Sequence, residues 1–90
     1  MSKRDKREES IRQGPQKVSF EDLQWLLERY GFWAKRSGGG SHQVFERKTG
    51  YRTVSISVPR KRPYVGRVFV GKVLVMIDRI DVNGEDVDDI

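Results

Sequence analysis

A single histidine, His42, is the residue of this 90-residue chain best suited to acid–base chemistry. Histidine is the side chain whose ordinary pKa lies close to neutral pH, so it can take up and release protons there. His42 opens a segment that alternates like a strand, which groups it with Val44 and Glu46 and places it opposite Phe45. If Phe45 enters the core, His42 faces outward. The alternative interpretation is a surface histidine without a role.

Many basic residues share the chain with His42. Residues 18–80 carry twelve Lys and Arg against five Asp and Glu, which is typical of a nucleic-acid-binding surface, although ordinary solvated charge is the alternative. An imidazole can remove the proton of a ribose 2′-hydroxyl while nearby cations stabilise charge on the phosphorus, and this step needs no metal. The residues predicted to bind RNA are Lys35, Arg36, Arg47, Lys48, Arg52, Arg60, Lys61, Arg62 and Arg67.

The distribution of charge divides the chain into three parts. Residues 1–17 are charged and poor in apolar side chains, so they predict a disordered basic tail. Residues 18–80 predict one small domain, and residues 81–90 predict a frayed acidic tail. The sequence has no cysteine, no secretory signal and no apolar run long enough to span a membrane, so we expect a cytoplasmic location.

Hydrophobic periodicity predicts two helices and three strands. One helix lies between an N-cap at Ser19 and Gly31, and another runs from Val68 or Phe69 to Ile80. The predicted strands cover residues 32–36, 42–47 and 51–58, with a tight turn at Lys48–Gly50 and Pro59 ending the last strand. This order predicts an α+β fold: a two-layer α-β-β-β-α sandwich, a three-stranded antiparallel sheet with both helices on one face.

Three further features have weaker functional interpretations. The run Gly38-Gly39-Gly40 lacks the Lys-Ser or Lys-Thr ending of a nucleotide-binding loop, so a flexible connection is favoured. Trp33 lies on a predicted strand and could stack on bases, although a place at the core edge is favoured for both Trp33 and Trp25. One histidine and no cysteine predict no metal site, and no small-molecule cofactor is expected.

Several segments, in their order along the chain, resemble the HicA family of toxins. They are the runs at 18–23 and 30–32, Gly40-Ser41-His42-Gln43-Val44-Phe45, the strand 53–59 and the helix 68–80. The resemblance implies a double-stranded-RNA-binding-domain-like fold, and a type II toxin that cleaves mRNA without a metal. It also implies a HicB-type antitoxin protein as partner, His42 as the catalytic residue, and Gly40 and Ser41 as its supporting loop. The chain departs from the family pattern at Gln43 and in the enlarged glycine loop.

Two other classes of function stay open at this point. A non-catalytic RNA-binding domain of the same fold would need the basic residues but not His42. A protein-interaction adaptor would use the open sheet face for a partner, although the basic charge of residues 18–80 argues against this as the main role.

Overall fold

The chain forms a three-stranded antiparallel sheet in a computed structural model that describes residues 3–36 and 40–81. The strands are β1 (Trp33–Ala34), β2 (His42–Thr49) and β3 (Arg52–Pro59), and they lie side by side in the order β1-β2-β3. The α+β class and the meander predicted from the sequence are therefore confirmed.

The described residues also contain three α-helices. They are α1 (Lys3–Gln13), α2 (Phe20–Arg29) and α3 (Arg67–Asp81), with a short 3₁₀ helix at Pro15–Lys17. None of them combines the length and the apolar content that crossing a bilayer requires. Residues 82–90 lie outside the described part of the chain, so the predicted fraying of the acidic C-terminal segment is not tested there. Residues 37–39 also lie outside it.

The β2–β3 hairpin fixes which residues share a face of the sheet. Its register pairs His42 with Pro59 at one end and Thr49 with Arg52 at the other. β3 ends at Pro59, one residue beyond the predicted strand over residues 51–58. The turn is a two-residue connection that begins with Gly50, whose φ of 57° favours glycine. The predicted turn began two residues earlier, because β2 stays paired as far as Thr49, whereas β3 begins at Arg52, one residue after its predicted start.

Both predicted ends of the first amphipathic helix are confirmed in α2. The Ser19 hydroxyl accepts a hydrogen bond from the Asp22 amide at 3.1 Å, and the Asp22 carboxylate accepts one from the Ser19 amide at 3.2 Å. This reciprocal capping box pairs two amides that the helix start would otherwise leave without partners. At the other end, Gly31 has a φ of 89°, in the left-handed region where glycine commonly terminates helices.

A buried apolar cluster joins α2, α3 and the sheet. Phe45 and Val58 belong to it together with Leu23, Leu26 and Leu27 of α2. The stripe predicted for the last helix is also confirmed, because four of its five members are buried in α3 and Leu74 packs against the cluster; the buried four are Val70, Val73, Ile77 and Ile80. The position of both helices over one sheet face stays a prediction.

The prediction of a disordered tail over residues 1–17 is wrong for residues 3–17. This segment forms α1 and the 3₁₀ helix, and Ile11 is buried in the apolar cluster. Arg7 lies 4.6 Å from the centre of the Trp25 ring, within the range of a cation–π contact. Apolar composition alone does not indicate this docking, because charged side chains attach α1 together with the single buried Ile11.

Glu8 is the centre of that attachment. Only 9% of its surface is exposed, and its carboxylate accepts hydrogen bonds from the Tyr30 hydroxyl and the Arg12 guanidinium, both at 3.0 Å. Arg29 of α2 lies 3.3 Å from the same carboxylate, and Arg12 also pairs with Asp78 of α3 at 2.9 Å. A buried carboxylate needs this number of partners because the loss of its hydration is costly. Glu8 and Arg12 therefore connect α1 to both other helices.

Removal of the Ile11 side chain tests whether α1 is part of the folded domain. We expect Ile11→Ala to lower the free energy of unfolding by about 2–5 kcal/mol, because it leaves a cavity in the buried cluster. Lys6→Ala is the matched control, since Lys6 is exposed on the same helix and its loss should change the free energy by less than about 0.5 kcal/mol. Urea unfolding measures both variants. Equal stability of Ile11→Ala and the wild type would show that α1 is not docked.

The capping box makes stability depend on pH. Partial burial raises the pKa of Asp22, but hydrogen bonds from the Ser19 backbone, Arg7 and the Ser19 hydroxyl outweigh it, and the net pKa is lowered. The stabilisation by ionised Asp22 is thus complete above the unfolded-state pKa of about 3.9, and is lost as pH falls through the folded-state pKa. We expect Asp22→Asn to be less stable than the wild type at pH 7 and this difference to shrink in acid. Urea unfolding across this pH range checks it, and a difference that stays constant would contradict it.

Candidate active site on the sheet

His42 is the first residue of β2, and its side chain is exposed, as the alternation predicts. Phe45, three positions along the strand, is fully buried, so the two side chains lie on opposite faces. The Nδ1 atom of His42 lies 3.0 Å from the Ser41 hydroxyl oxygen. Among the described residues, the Nε2 atom has no hydrogen-bond partner, so this nitrogen is the one that a ligand can reach.

The Ser41 hydroxyl suits a histidine that must change its protonation. A hydroxyl both donates and accepts hydrogen bonds, so it can pair with Nδ1 whether or not that nitrogen carries the proton. In one tautomer of His42, Nε2 is free to accept a proton, and in the other Nε2 holds one. Ser41 therefore orients the ring without restricting Nε2 to either role.

Arg60 anchors the loop that carries Ser41. Its backbone amide donates to the Ser41 carbonyl at 2.7 Å, and its guanidinium Nη1 donates to the Gly40 carbonyl at 3.0 Å. Gly40 has a φ of 103°, in the left-handed region, so the loop conformation itself favours glycine there. Gly40 and Ser41, the predicted supporting residues, directly precede His42. The hydrogen bonds bring Arg60, one of the predicted RNA-binding residues, next to them.

Gln43 is a residue of this site that the sequence predictions missed. Only 8% of it is exposed, and its side-chain amide donates to the Lys35 carbonyl at 2.6 Å and to the Val44 carbonyl at 2.9 Å. Its oxygen accepts a hydrogen bond from the Arg60 guanidinium. The signal was present in the alternation, which places a polar residue on the face of Phe45.

The Gln43 amide also explains why β1 is shorter than the predicted strand over residues 32–36. The Lys35 amide still donates to the Val44 carbonyl at 2.8 Å, but the Lys35 carbonyl is paired with the Gln43 side chain instead of a backbone amide. Regular strand pairing therefore ends at Ala34. Gln43 thus ties the end of β1 to Arg60 behind the histidine.

The sheet face that carries His42 is mostly polar, with Val44 and Trp33 as apolar side chains on it. Ser55, Ser57 and Thr53 of β3 lie on it and are exposed, because they pair with the residues of β2 that share the orientation of His42. We call this the His42 face. Trp33 and Lys35 extend it across β1, and Lys35 Nζ lies 3.3 Å from the Glu46 carboxylate.

The predicted RNA-binding residues do not form one patch. Lys35 and Arg60 lie near His42, and Arg36 is exposed beside Lys35. Lys48 is exposed on the His42 face, but six strand residues, or about 20 Å, separate it from His42. Arg52 lies at the same distant end of the sheet, where it follows the hairpin turn.

The remaining predicted cations lie on the opposite face of the sheet, in the loop after β3 or at the start of α3. Arg47 lies on the face of Phe45, where its Nε donates to the Tyr30 carbonyl at 2.9 Å and so caps the end of α2. Arg62 pairs with Glu21 at 3.1 Å. Lys61 and Arg67 are exposed in the loop before α3 and at its first residue. Within the described residues, no three His, Asp or Glu side chains are grouped so that they could hold a metal ion.

The protein-family models and the curated proteins and solved structures with which the chain was compared gave no match. The resemblance to HicA toxins thus rests on the motifs and on their order in the chain. It stays a prediction.

Gln43→Leu tests the importance of the buried amide. The substitution keeps the side-chain size but removes three hydrogen bonds, so we expect the free energy of unfolding to fall by about 1–3 kcal/mol. Gln24→Leu is the control, because Gln24 makes one exposed hydrogen bond, to Glu28, and should change stability by less than about 0.5 kcal/mol. Urea unfolding compares the two variants. Equal losses of free energy would show that the Gln43 hydrogen bonds stabilise the fold no more than one exposed hydrogen bond does.

Proposed function

We propose that this chain is a metal-independent ribonuclease of the HicA toxin kind that cleaves mRNA in the cytoplasm. The observation that carries the proposal is the exposed His42 ring, with Nδ1 held by Ser41 and Nε2 directed to no described residue. Lys35 on the same face and Arg60 beside the Ser41 loop add support, because their positive charge attracts an RNA backbone toward the ring.

The reaction that fits this arrangement is attack of a ribose 2′-oxygen on the adjacent phosphorus. His42 Nε2 accepts the proton of the 2′-hydroxyl as the new bond between the 2′-oxygen and phosphorus forms. The bond between phosphorus and the 5′-oxygen then breaks, and a proton from water completes the new 5′-hydroxyl. The products are one fragment that ends in a 2′,3′-cyclic phosphate and one that begins with a 5′-hydroxyl. The role of His42 is general acid–base catalysis, and Ser41 is a positioning residue.

A toxin that cleaves mRNA requires a partner that restrains it. The proposal therefore includes a HicB-type antitoxin protein that covers the His42 face. Support comes from the placement of the histidine, since a residue on an exposed sheet face can be covered by a protein without any change in the fold. The neighbouring open reading frame is the first place to search for this partner.

His42→Ala is the direct test of catalysis. Positioned acid–base catalysis contributes about 10²–10⁴ to a rate, so we expect the variant to cleave RNA slower by that factor while its urea unfolding stays close to that of the wild type. The measurement is the cleavage of a single-stranded RNA with product analysis. Wild-type cleavage should continue in a metal chelator and should stop when the 2′-hydroxyl groups are methylated.

Product analysis also separates the proposal from RNA binding without catalysis. Fragments with a 2′,3′-cyclic phosphate support the nuclease, whereas RNA that is bound but stays intact supports the non-catalytic domain. Cleavage at the same rate by His42→Ala would remove the histidine from the mechanism. Growth arrest on expression of the wild type, absent for His42→Ala and relieved by the neighbouring reading frame, would support the toxin assignment.

A further inference from the structure

Trp33 is a large aromatic side chain on an otherwise polar surface. It pairs with Glu46 across β1 and β2, and Glu46 is four residues from His42, so the indole lies on the His42 face. Its exposed fraction is 41%, which is high for a tryptophan at the edge of a core. The sequence alone favours a place at the core edge for Trp33, but this exposure leaves the ring accessible to a ligand.

The spacing between Trp33 and His42 suits a nucleic acid strand. Four strand residues span about 14 Å, so the backbone positions of Trp33 and His42 are separated by about that much along the strand direction. Lys35 lies between them at the level of Val44, and the hydroxyl of Ser57 faces the same row from β3. Between the levels of the ring and the imidazole, a cation beside β1 and a hydroxyl on β3 thus lie on either side of β2 on the same face.

We propose that Trp33 is a base-stacking subsite for single-stranded RNA, placed several nucleotides from the bond that His42 cleaves. This inference rests on the proposed function and specifies its substrate class. A base in a duplex is stacked between its neighbours and paired, so it has no free face for a protein ring, whereas an unpaired base does. Stacking of this kind tolerates any base, so Trp33 contributes affinity and position more than sequence preference.

Charge complementarity favours RNA as the occupant over another protein. The basic side chains Lys35 and Arg36 are exposed on or beside the path between Trp33 and His42, and Lys48 is exposed on the same face beyond Trp33. Glu46, the acidic residue of β2 on this face, already pairs with Lys35. An anionic strand with stacked bases satisfies both the cations and the indole.

The other tryptophan makes a sharp experiment available. Two guanidinium groups lie near the Trp25 ring, with Arg7 at 4.6 Å and Arg29 at 5.9 Å from its centre. These contacts occupy the ring, so a base is not expected to stack on it. In the double variant His42→Ala and Trp25→Phe, Trp33 is the single tryptophan. We expect a short single-stranded RNA to quench its fluorescence, and the same RNA annealed to its complement to have a smaller effect. In His42→Ala and Trp33→Phe, the emission of Trp25 should barely change.

Affinity gives the second measurement. In the His42→Ala background, Trp33→Ala should weaken the binding of single-stranded RNA by about 5- to 150-fold, which corresponds to one base–aromatic stack. Trp33→Phe should retain most of the affinity because it keeps a ring. Tyr51→Ala is the matched control, since Tyr51 is 92% exposed at the hairpin turn, away from this path, and its loss should leave affinity unchanged. Urea unfolding of each variant confirms that it is folded.

The results of these experiments can reject the Trp33 subsite without rejecting the proposed nuclease function. Equal affinity of Trp33→Ala and its parent, with RNA still bound, overturns the subsite but leaves the nuclease in place. Absence of both RNA binding and cleavage by the wild type overturns both. If Trp33→Ala loses the antitoxin partner while its RNA affinity is unchanged, the ring serves a protein and the subsite is wrong.

Discussion

The burial of Phe45 is the constraint on which the site depends. Its side chain is fully buried and contacts Phe20 of α2, with the ring centres 6.1 Å apart. Because side chains alternate along a strand, this anchor directs His42 to the other face. A slip of one residue in the pairing would move Phe45 into solvent and His42 toward the apolar cluster, and the loss of apolar burial opposes that slip. The exposed imidazole is therefore a consequence of the core.

Features of the fold that are encoded locally were predictable from the sequence. The capping box of α2, its terminal Gly31 and the outward direction of His42 depend on residues close together in the chain. Gln43 and Glu8 were missed because their partners lie far away in the sequence, at Arg60 and at Tyr30. Periodicity detects apolar surfaces, and it does not detect a helix such as α1 that is attached by ion pairs. Likewise, the sequence showed where the cations are in the chain but not which face of the sheet each one occupies.

The structure separates the positive charges of the chain by their contacts. Arg47 caps α2, Arg12 joins α1 to α3, and Arg7 lies on Trp25. These side chains hold elements of the fold together, so a count of Lys and Arg overstates the charge available to a ligand. Lys48, Lys61 and Arg67 are exposed and form no ion pair with another described residue. The charge that can meet RNA is thus smaller and more dispersed than the composition suggests.

The ion pairs that attach α1 and the apolar core around Phe45 respond differently to salt. Salt weakens the attraction between exposed charges, since the Debye length falls from about 10 Å at 0.1 M to about 3 Å at 1 M, whereas apolar burial does not depend on such attraction. The pair of Arg7 with Asp22 and that of Arg12 with Asp78 are partly exposed, so ionic strength acts on them. Phe45 and its neighbours are insensitive to it. High salt therefore weakens the exposed part of the attachment of α1, while buried Ile11 and the core that orients the histidine are not affected by this screening.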